Sequence, residues 1–270
     1  MRVLPAPPEA AAAADIEDAK VVSYRTATHG ALACLAVLVL LSGTAIAGPP
    51  YISDDPEPTD YRHYEIYLFL SGTNTESGTS GATGIDFNYG AAHDVQLTAV
   101  LPLDYQTGSG ASDAVGLGNI ELAAKYRFLH QADIGWDVAV FPRVFLPSAA
   151  NTVGERHASF LLPLWFEHDW DRWSTFGGGG CTIDRGDGAK DSCLAGWALT
   201  RQVLPDLQLG AEIVHQTATT KGGRDTTGIG FGLRYDLNDT YHLLAYAGPG
   251  LQNAATTDRY TWYASILFTF

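Results

Sequence analysis

Hydrophobic and polar residues alternate in many short segments of the chain. Ile229, Phe231, Leu233 and Tyr235 alternate with glycine, arginine and aspartate, and the same rhythm recurs from residue 83 to the C-terminus. A period of two gives an extended strand one apolar and one polar face. The pattern therefore predicts an all-β protein, although the same alternation suits a soluble sandwich and a membrane barrel.

The lengths of the connections distinguish these two architectures. Short joins alternate with longer joins that are rich in Gly, Ser, Thr and Asp, such as Ser71–Ala82 and Tyr105–Leu117. Alternating short turns and long loops are typical of an up-and-down outer-membrane barrel. We therefore predict an antiparallel transmembrane barrel of about twelve strands. They are placed at 61–70, 83–90, 95–103, 118–129, 135–146, 158–168, 173–182, 192–203, 207–216, 226–236, 241–247 and 259–270.

Aromatic residues support a membrane environment. Trp136, Trp170, Trp173 and Tyr241 lie at strand ends beside the short turns, where amphipathic rings meet lipid headgroups. The chain ends in an alternating aromatic strand closed by Phe270, which is similar to the C-terminal signal read by the bacterial barrel assembly machinery. The expected partners are therefore outer-membrane lipids and that machinery.

The N-terminal residues predict export. An apolar run over Ala31–Leu41 follows Lys20 and Arg25, and the small residues up to Ala47 form a cleavage site before Gly48. We assign residues 1–28 to an extension before the leader and 29–47 to a signal peptide. Residues 48–60 are assigned to a periplasmic segment and 61–270 to the barrel. For the acidic Ser53–Pro58 stretch a short periplasmic tail is favoured over folding into the periplasmic mouth.

Charge limits the function classes. The net charge of −14 argues against nucleic acid as a partner, because such proteins neutralise phosphates with basic patches. On the strand phasing, eleven charged residues face the lumen, because facing lipid would cost about 2–4 kcal/mol for Arg or Lys at mid-membrane. They form either a structural salt-bridge network or a charged constriction that selects permeants. These residues are Glu65, Asp86, Glu121, Lys125, Arg127, Asp137, Arg143, Glu167, Glu212, Arg234 and Asp236.

Prolines and cysteines mark local features of the barrel. Pro102, Pro142 and Pro163 fall inside predicted strands, and since proline donates no hydrogen bond each is expected to mark a bulge or kink. Cys181 and Cys193 flank an external loop and are expected to form a disulfide in an oxidising compartment.

No catalytic, metal or cofactor site is expected. Ser159 and His157 are candidates for a nucleophile and base of a lipid-modifying enzyme, but adjacent strand positions do not set up a hydrogen-bonded pair. The remaining histidines show no metal-ligand spacing.

Several sequence blocks resemble one bacterial family. They include Pro49–Pro58, Tyr61–Glu65, Gly116–Leu122, Lys125–Phe128 and Gly222–Gly228. The mature chain is similar to the putative MetA-pathway of phenol degradation family of transporter-like proteins. The resemblance implies an outer-membrane barrel that passes small molecules, including aromatic or hydrophobic compounds. The predicted function is therefore passive diffusion through a narrow charged lumen. A closed barrel acting through its external loops and, with less support, a lipid-modifying enzyme are the alternatives.

Overall fold

The computed structural model describes residues 50–108, 113–153 and 157–270. The predicted leader and its cleavage site at Ala47 and Gly48 lie outside these residues. One short helix is described, α1 (Gln131–Ile134). The strands are β1 (Tyr64–Asn74), β2 (Gly78–Ala92), β3 (Val95–Gly108), β4 (Ala114–Leu117), β5 (Glu121–Leu129), β6 (Asp137–Val140), β7 (Arg143–Phe145), β8 (Ser159–Trp170), β9 (Trp173–Asp184), β10 (Ser192–Leu204), β11 (Leu207–Gln216), β12 (Thr226–Asp236), β13 (Tyr241–Gln252) and β14 (Tyr260–Thr269).

The fourteen segments form twelve strands of one closed antiparallel barrel. β4 and β5 both pair with β3, and β6 and β7 both lie between β5 and β8, so each pair is a single strand with a break. The barrel closes where β1 pairs with β14, from Glu65 opposite Thr269 to Asn74 opposite Tyr260. The prediction of about twelve antiparallel strands is confirmed.

The two faces of the sheet are inverted relative to a soluble protein. Large apolar side chains such as Leu101, Ile213 and Phe231 are about half exposed on the outside of the barrel. Polar side chains on the alternate positions, such as Gln96 and Glu212, are buried inside. An apolar outer wall around a polar interior is the arrangement that hydrocarbon outside the barrel requires.

Several strands are longer than predicted. Ser71–Ala82 is mostly strand, because β1 and β2 continue to a turn of three residues at 75–77. The stretch 105–108 likewise belongs to β3. The prediction was wrong here because Gly, Ser and Thr lack a hydrophobic rhythm, yet their backbone groups pair as any others do. No helix within the described ranges is long and apolar enough to cross a membrane.

Two of the three prolines lie opposite a break in the neighbouring strand. Pro102 and Pro163 keep unshifted pairs with β2 and β9, so neither proline marks a bulge in those ladders. Their carbonyl oxygens accept bonds from Gly118 and Phe141, which lie at the breaks between β4 and β5 and between β6 and β7. The N–H and C=O of one residue in an antiparallel strand point to the same side. The missing proline N–H therefore faces a place where the partner ladder is already interrupted. Pro142 itself lies in the second break.

Candidate functional site: the lumen and the N-terminal segment

Residues 50–60, called the N-terminal segment below, lie inside the barrel. Tyr51, Ser53, Asp55, Pro56 and Thr59 are buried by contacts with the inner wall. The segment enters at the end where β1 begins and β14 ends, which is the periplasmic end in outer-membrane barrels. The expectation of a short periplasmic tail was therefore wrong. Its backbone and acidic side chains find partners on the inner face of the wall and within the segment itself.

The deepest part of the segment is held by aromatic packing. The Tyr51 ring meets Phe176 and Tyr246 edge to face, with centroids 5.5 and 6.0 Å apart. Gly232 on β12 leaves room for it, since a Cβ there would lie 2.7 Å from the Tyr51 ring. Gly210 on β11 makes similar room for the Tyr51 hydroxyl. Glycines in neighbouring strands thus form the recess that receives this ring.

A single buried carboxylate anchors the segment's backbone. The N–H of Ile52 donates to Glu212 Oε2 at 3.0 Å and the N–H of Ser53 donates to Oε1 at 2.6 Å. Glu212 is only 2 % exposed. Hydrogen bonds to an ionised acceptor are about twice as strong as neutral ones. Glu212, one of the predicted lumen residues, is therefore a structural clamp on the segment.

A cluster of ion pairs fixes the acidic part of the segment. Lys125 Nζ lies 3.0 Å from Asp54 Oδ1 and 3.4 Å from Asp55 Oδ1, and it also donates to the Glu57 carbonyl oxygen at 3.1 Å. Arg143 reaches the second Asp54 oxygen at 2.7 Å and Glu121 at 3.4 Å. Burial raises the pKa of Asp55 to about 7, and the charge of Lys125 opposes that rise. The wall thus supplies cations to a segment that is acidic.

The ring of Phe141 supports both cations. The Lys125 ammonium lies 5.1 Å and the Arg143 guanidinium 4.2 Å from its centroid. Both distances are within the range of cation–π attraction. Phe141 is 4 % exposed and precedes the break at Pro142. The sequence offered no local signal for this role, because it depends on residues from two different strands.

Nearer the rim, amides of the wall hold the end of the segment. Thr59 donates from its backbone N–H and its hydroxyl to Gln96 Oε1, at 2.8 and 3.1 Å. Gln96 in turn donates to Asn88 and Thr98. This network connects the segment to β2 and β3.

Two cavities lie within the lumen. The larger has a volume of about 590 Å³ and extends to rim residues such as His63 and Asp239. A smaller one of about 60 Å³ is lined by Val214, Thr227 and Tyr246. Ile52 lines both cavities. The N-terminal segment therefore lies between them.

All eleven charged residues predicted to face inward are buried or half-buried. Six of them line the larger cavity, and Glu212 clamps the segment. Arg127 pairs with Asp94 at 3.0 Å and lies 3.9 Å from Asp137, whereas Glu167 accepts a bond from Ser174. The six that line the larger cavity are Glu65, Asp86, Glu121, Lys125, Arg143 and Arg234. Asp236 binds Arg234 and His242 at 2.9 and 2.6 Å.

The external side carries a covalent link. Cys181 on β9 and Cys193 on β10 are directly opposite each other and form a disulfide. Between them lies the predicted external loop, where His157 contacts Asp184 at 2.7 Å. Among the described residues no group of three potential ligands could hold a metal ion.

These features define the class of protein: a bacterial outer-membrane β-barrel with a polar, partly filled lumen. Its fold is similar to that of an outer-membrane channel from Pseudomonas putida F1, at 15 % identity and a TM-score of 0.68 over 83 % of this chain and 100 % of that one. It is also similar to the KdgM porin in complex with disordered oligogalacturonate, at 11 % identity and a TM-score of 0.52 over 77 % and 99 %. No curated protein matches the chain. The family model described as "Putative MetA-pathway of phenol degradation" matches residues 66–261, so the chain belongs to that family.

Proposed function

We propose that the protein is an outer-membrane channel that passes small molecules by passive diffusion along its polar lumen. One observation carries the proposal: a 590 Å³ cavity lies beside a segment that continues into β1 and is otherwise held to the wall by hydrogen bonds, ion pairs and ring contacts. Water can replace these contacts, so the segment can detach from the wall. The hydrogen bonds between the strands that close the barrel are not replaced in this way.

The N-terminal segment limits the passage. Ile52 lies between the large and the small cavity, so a solute must pass around this residue or displace it. Small solutes are expected to pass slowly with the segment in place. Larger ones, including the aromatic compounds implied by the family resemblance, need it to move.

Planar bilayers test the proposal. The wild type is compared with a variant that lacks residues 50–59, and both are first shown to keep the heat-resistant barrel band on a gel. We expect a small conductance for the wild type and a severalfold larger one for the deletion. A barrel that conducts in neither form would refute the proposal and leave a closed barrel acting through its external loops.

We assign no catalytic role to the protein. The imidazole of His157 contacts Asp184 on the neighbouring strand, and Ser159 lies at the start of β8. Replacing Ser159 and His157 by alanine should leave solute flux unchanged. Lipid hydrolysis by the wild type that disappears in this variant would contradict the assignment.

The role of the Phe270 strand in assembly stays a prediction, although that residue does bind β1 through Tyr64.

A further inference from the structure

The charges that line the larger cavity are far from balanced. Eight carboxylates face three basic side chains, Lys125, Arg143 and Arg234, with His63 at the rim. The carboxylates are Asp54, Asp55, Glu57, Asp60, Glu65, Asp86, Glu121 and Asp239. Clefts lined by one sign of charge and bounded by low-dielectric walls concentrate counter-ions.

The three cations are already neutralised by acids. Lys125 and Arg143 bind Asp54, Asp55 and Glu121, and Arg234 binds Asp236. Five of the eight acids have no cation within 4 Å among the described residues. Three of them, Glu57, Asp60 and Asp239, belong to the N-terminal segment or a turn, whereas Glu65 and Asp86 lie on the strands of the wall and accept bonds from Tyr67 and Asn88. No cation of the described wall therefore occupies these two carboxyl groups.

The larger cavity already contains one bound cationic group, the ammonium of Lys125. The Lys125 ammonium is surrounded by two carboxylates, a carbonyl oxygen and the face of Phe141. Near Glu65 and Asp86 the same cavity is lined by two aromatic rings, that of the buried Tyr67, which lies opposite Asp86 in the sheet, and that of Tyr263. Carboxylates beside aromatic rings suit a small monovalent cation or an ammonium group.

We propose that the passage is selective for cations over anions, and that Glu65 and Asp86 are the wall residues that determine this selectivity. The inference rests on the proposed channel function and adds the charge class of the permeant to it. Rings of acidic side chains give the same selectivity in other cation pores.

The test is the reversal potential of the reconstituted full chain under a KCl gradient. We expect K⁺ to permeate more readily than Cl⁻. Each neutralised carboxylate should lower the K⁺/Cl⁻ permeability ratio about tenfold, because a unit charge ~6 Å away in water changes the K⁺ term about threefold and the Cl⁻ term about threefold in the opposite direction. The variant Glu65→Gln with Asp86→Asn should therefore lower the ratio more than either single variant does.

The matched control removes the same two charges outside the lumen. Asp133 on α1 and Asp171 in the β8–β9 turn are exposed, and Asp133→Asn with Asp171→Asn should leave the ratio unchanged. A conducting wild type that prefers Cl⁻ or shows no preference would overturn the inference and leave the channel function intact. An equal loss of preference in both double variants would overturn the role of Glu65 and Asp86. No conductance in any form would instead count against the channel function.

Discussion

Removing the Lys125 ammonium is expected to release the N-terminal segment. The side chains of Lys125 and Asp55 are each 5 % exposed, and that of Asp54 is 15 % exposed, so solvent screens their ion pairs little. Replacing one member of a buried ion pair costs about 3–5 kcal/mol when the partner's charge stays without compensation. Burial raises the pKa of Asp55 to about 7 even with Lys125 in place, so Asp55 takes up a proton in the variant and the cost lies at the lower end of this range. In Lys125→Met the Asp54 carboxylate keeps Arg143, but Asp55 loses its only ion pair among the described residues.

Hydrogen exchange of the segment measures this loss directly. Each 1.4 kcal/mol is a factor of ten in an equilibrium constant, so the amides of Ile52 and Ser53 should exchange roughly 10²–10³ times faster in Lys125→Met. The conductance in bilayers should rise together with the exchange rate. The matched control is Lys221→Met, because that lysine is exposed in an external loop.

A compensating variant separates the charge effect from a general loss of stability. Adding Asp55→Asn to Lys125→Met removes the uncompensated carboxylate, and part of the protection against exchange should return. The reasoning is refuted if Lys125→Met exchanges at the wild-type rate, or if the control accelerates exchange as much. Unchanged far-UV circular dichroism in all variants would show that the barrel itself is intact.

Three further substitutions test other contacts. Glu212→Gln replaces one of two acceptor oxygens by a donor, so binding of the segment to the wall should weaken by about 1.5–3 kcal/mol. Hydrogen exchange of the segment's amides measures this loss, and unchanged exchange rates would contradict it. Gly232→Ala places a methyl against Tyr51 and should accelerate exchange, whereas Gly228→Ala, where the nearest atom is 3.5 Å away, should not. Ile213→Arg puts a charge on the outer wall and should destabilise the barrel in lipid by about 2–4 kcal/mol in a denaturant titration. An unaffected stability would contradict the view that this wall faces hydrocarbon.

The sequence predicted most of the wall and little of what fills it. Alternation in segments such as 226–236 follows from local geometry, so it predicted the strands and which side chains share the inner face. The disulfide between Cys181 and Cys193 was expected for a different reason, the oxidising compartment, and it is present in the structure. The N-terminal segment has no such local rule. Its partners Glu212 and Lys125 lie 160 and 70 residues away in the chain, and only the closed barrel brings them together. The acidity of Ser53–Pro58 was a signal of complementarity to basic wall residues, but it does not say which ones.

The structure also separates two roles of the charged lumen residues that the sequence alone left open, a structural salt-bridge network and a surface that selects permeants. Lys125, Arg143 and Glu212 have their charges engaged by the N-terminal segment, so substituting them should change how firmly the segment is seated. Glu65 and Asp86 lie on the same inner face, and within the described ranges they accept hydrogen bonds from the neutral Tyr67 and Asn88. Substituting these two should change which ions pass while leaving the segment in place. The structural network and the selective surface are thus different subsets of one face, and exchange rates and reversal potentials should respond to different variants.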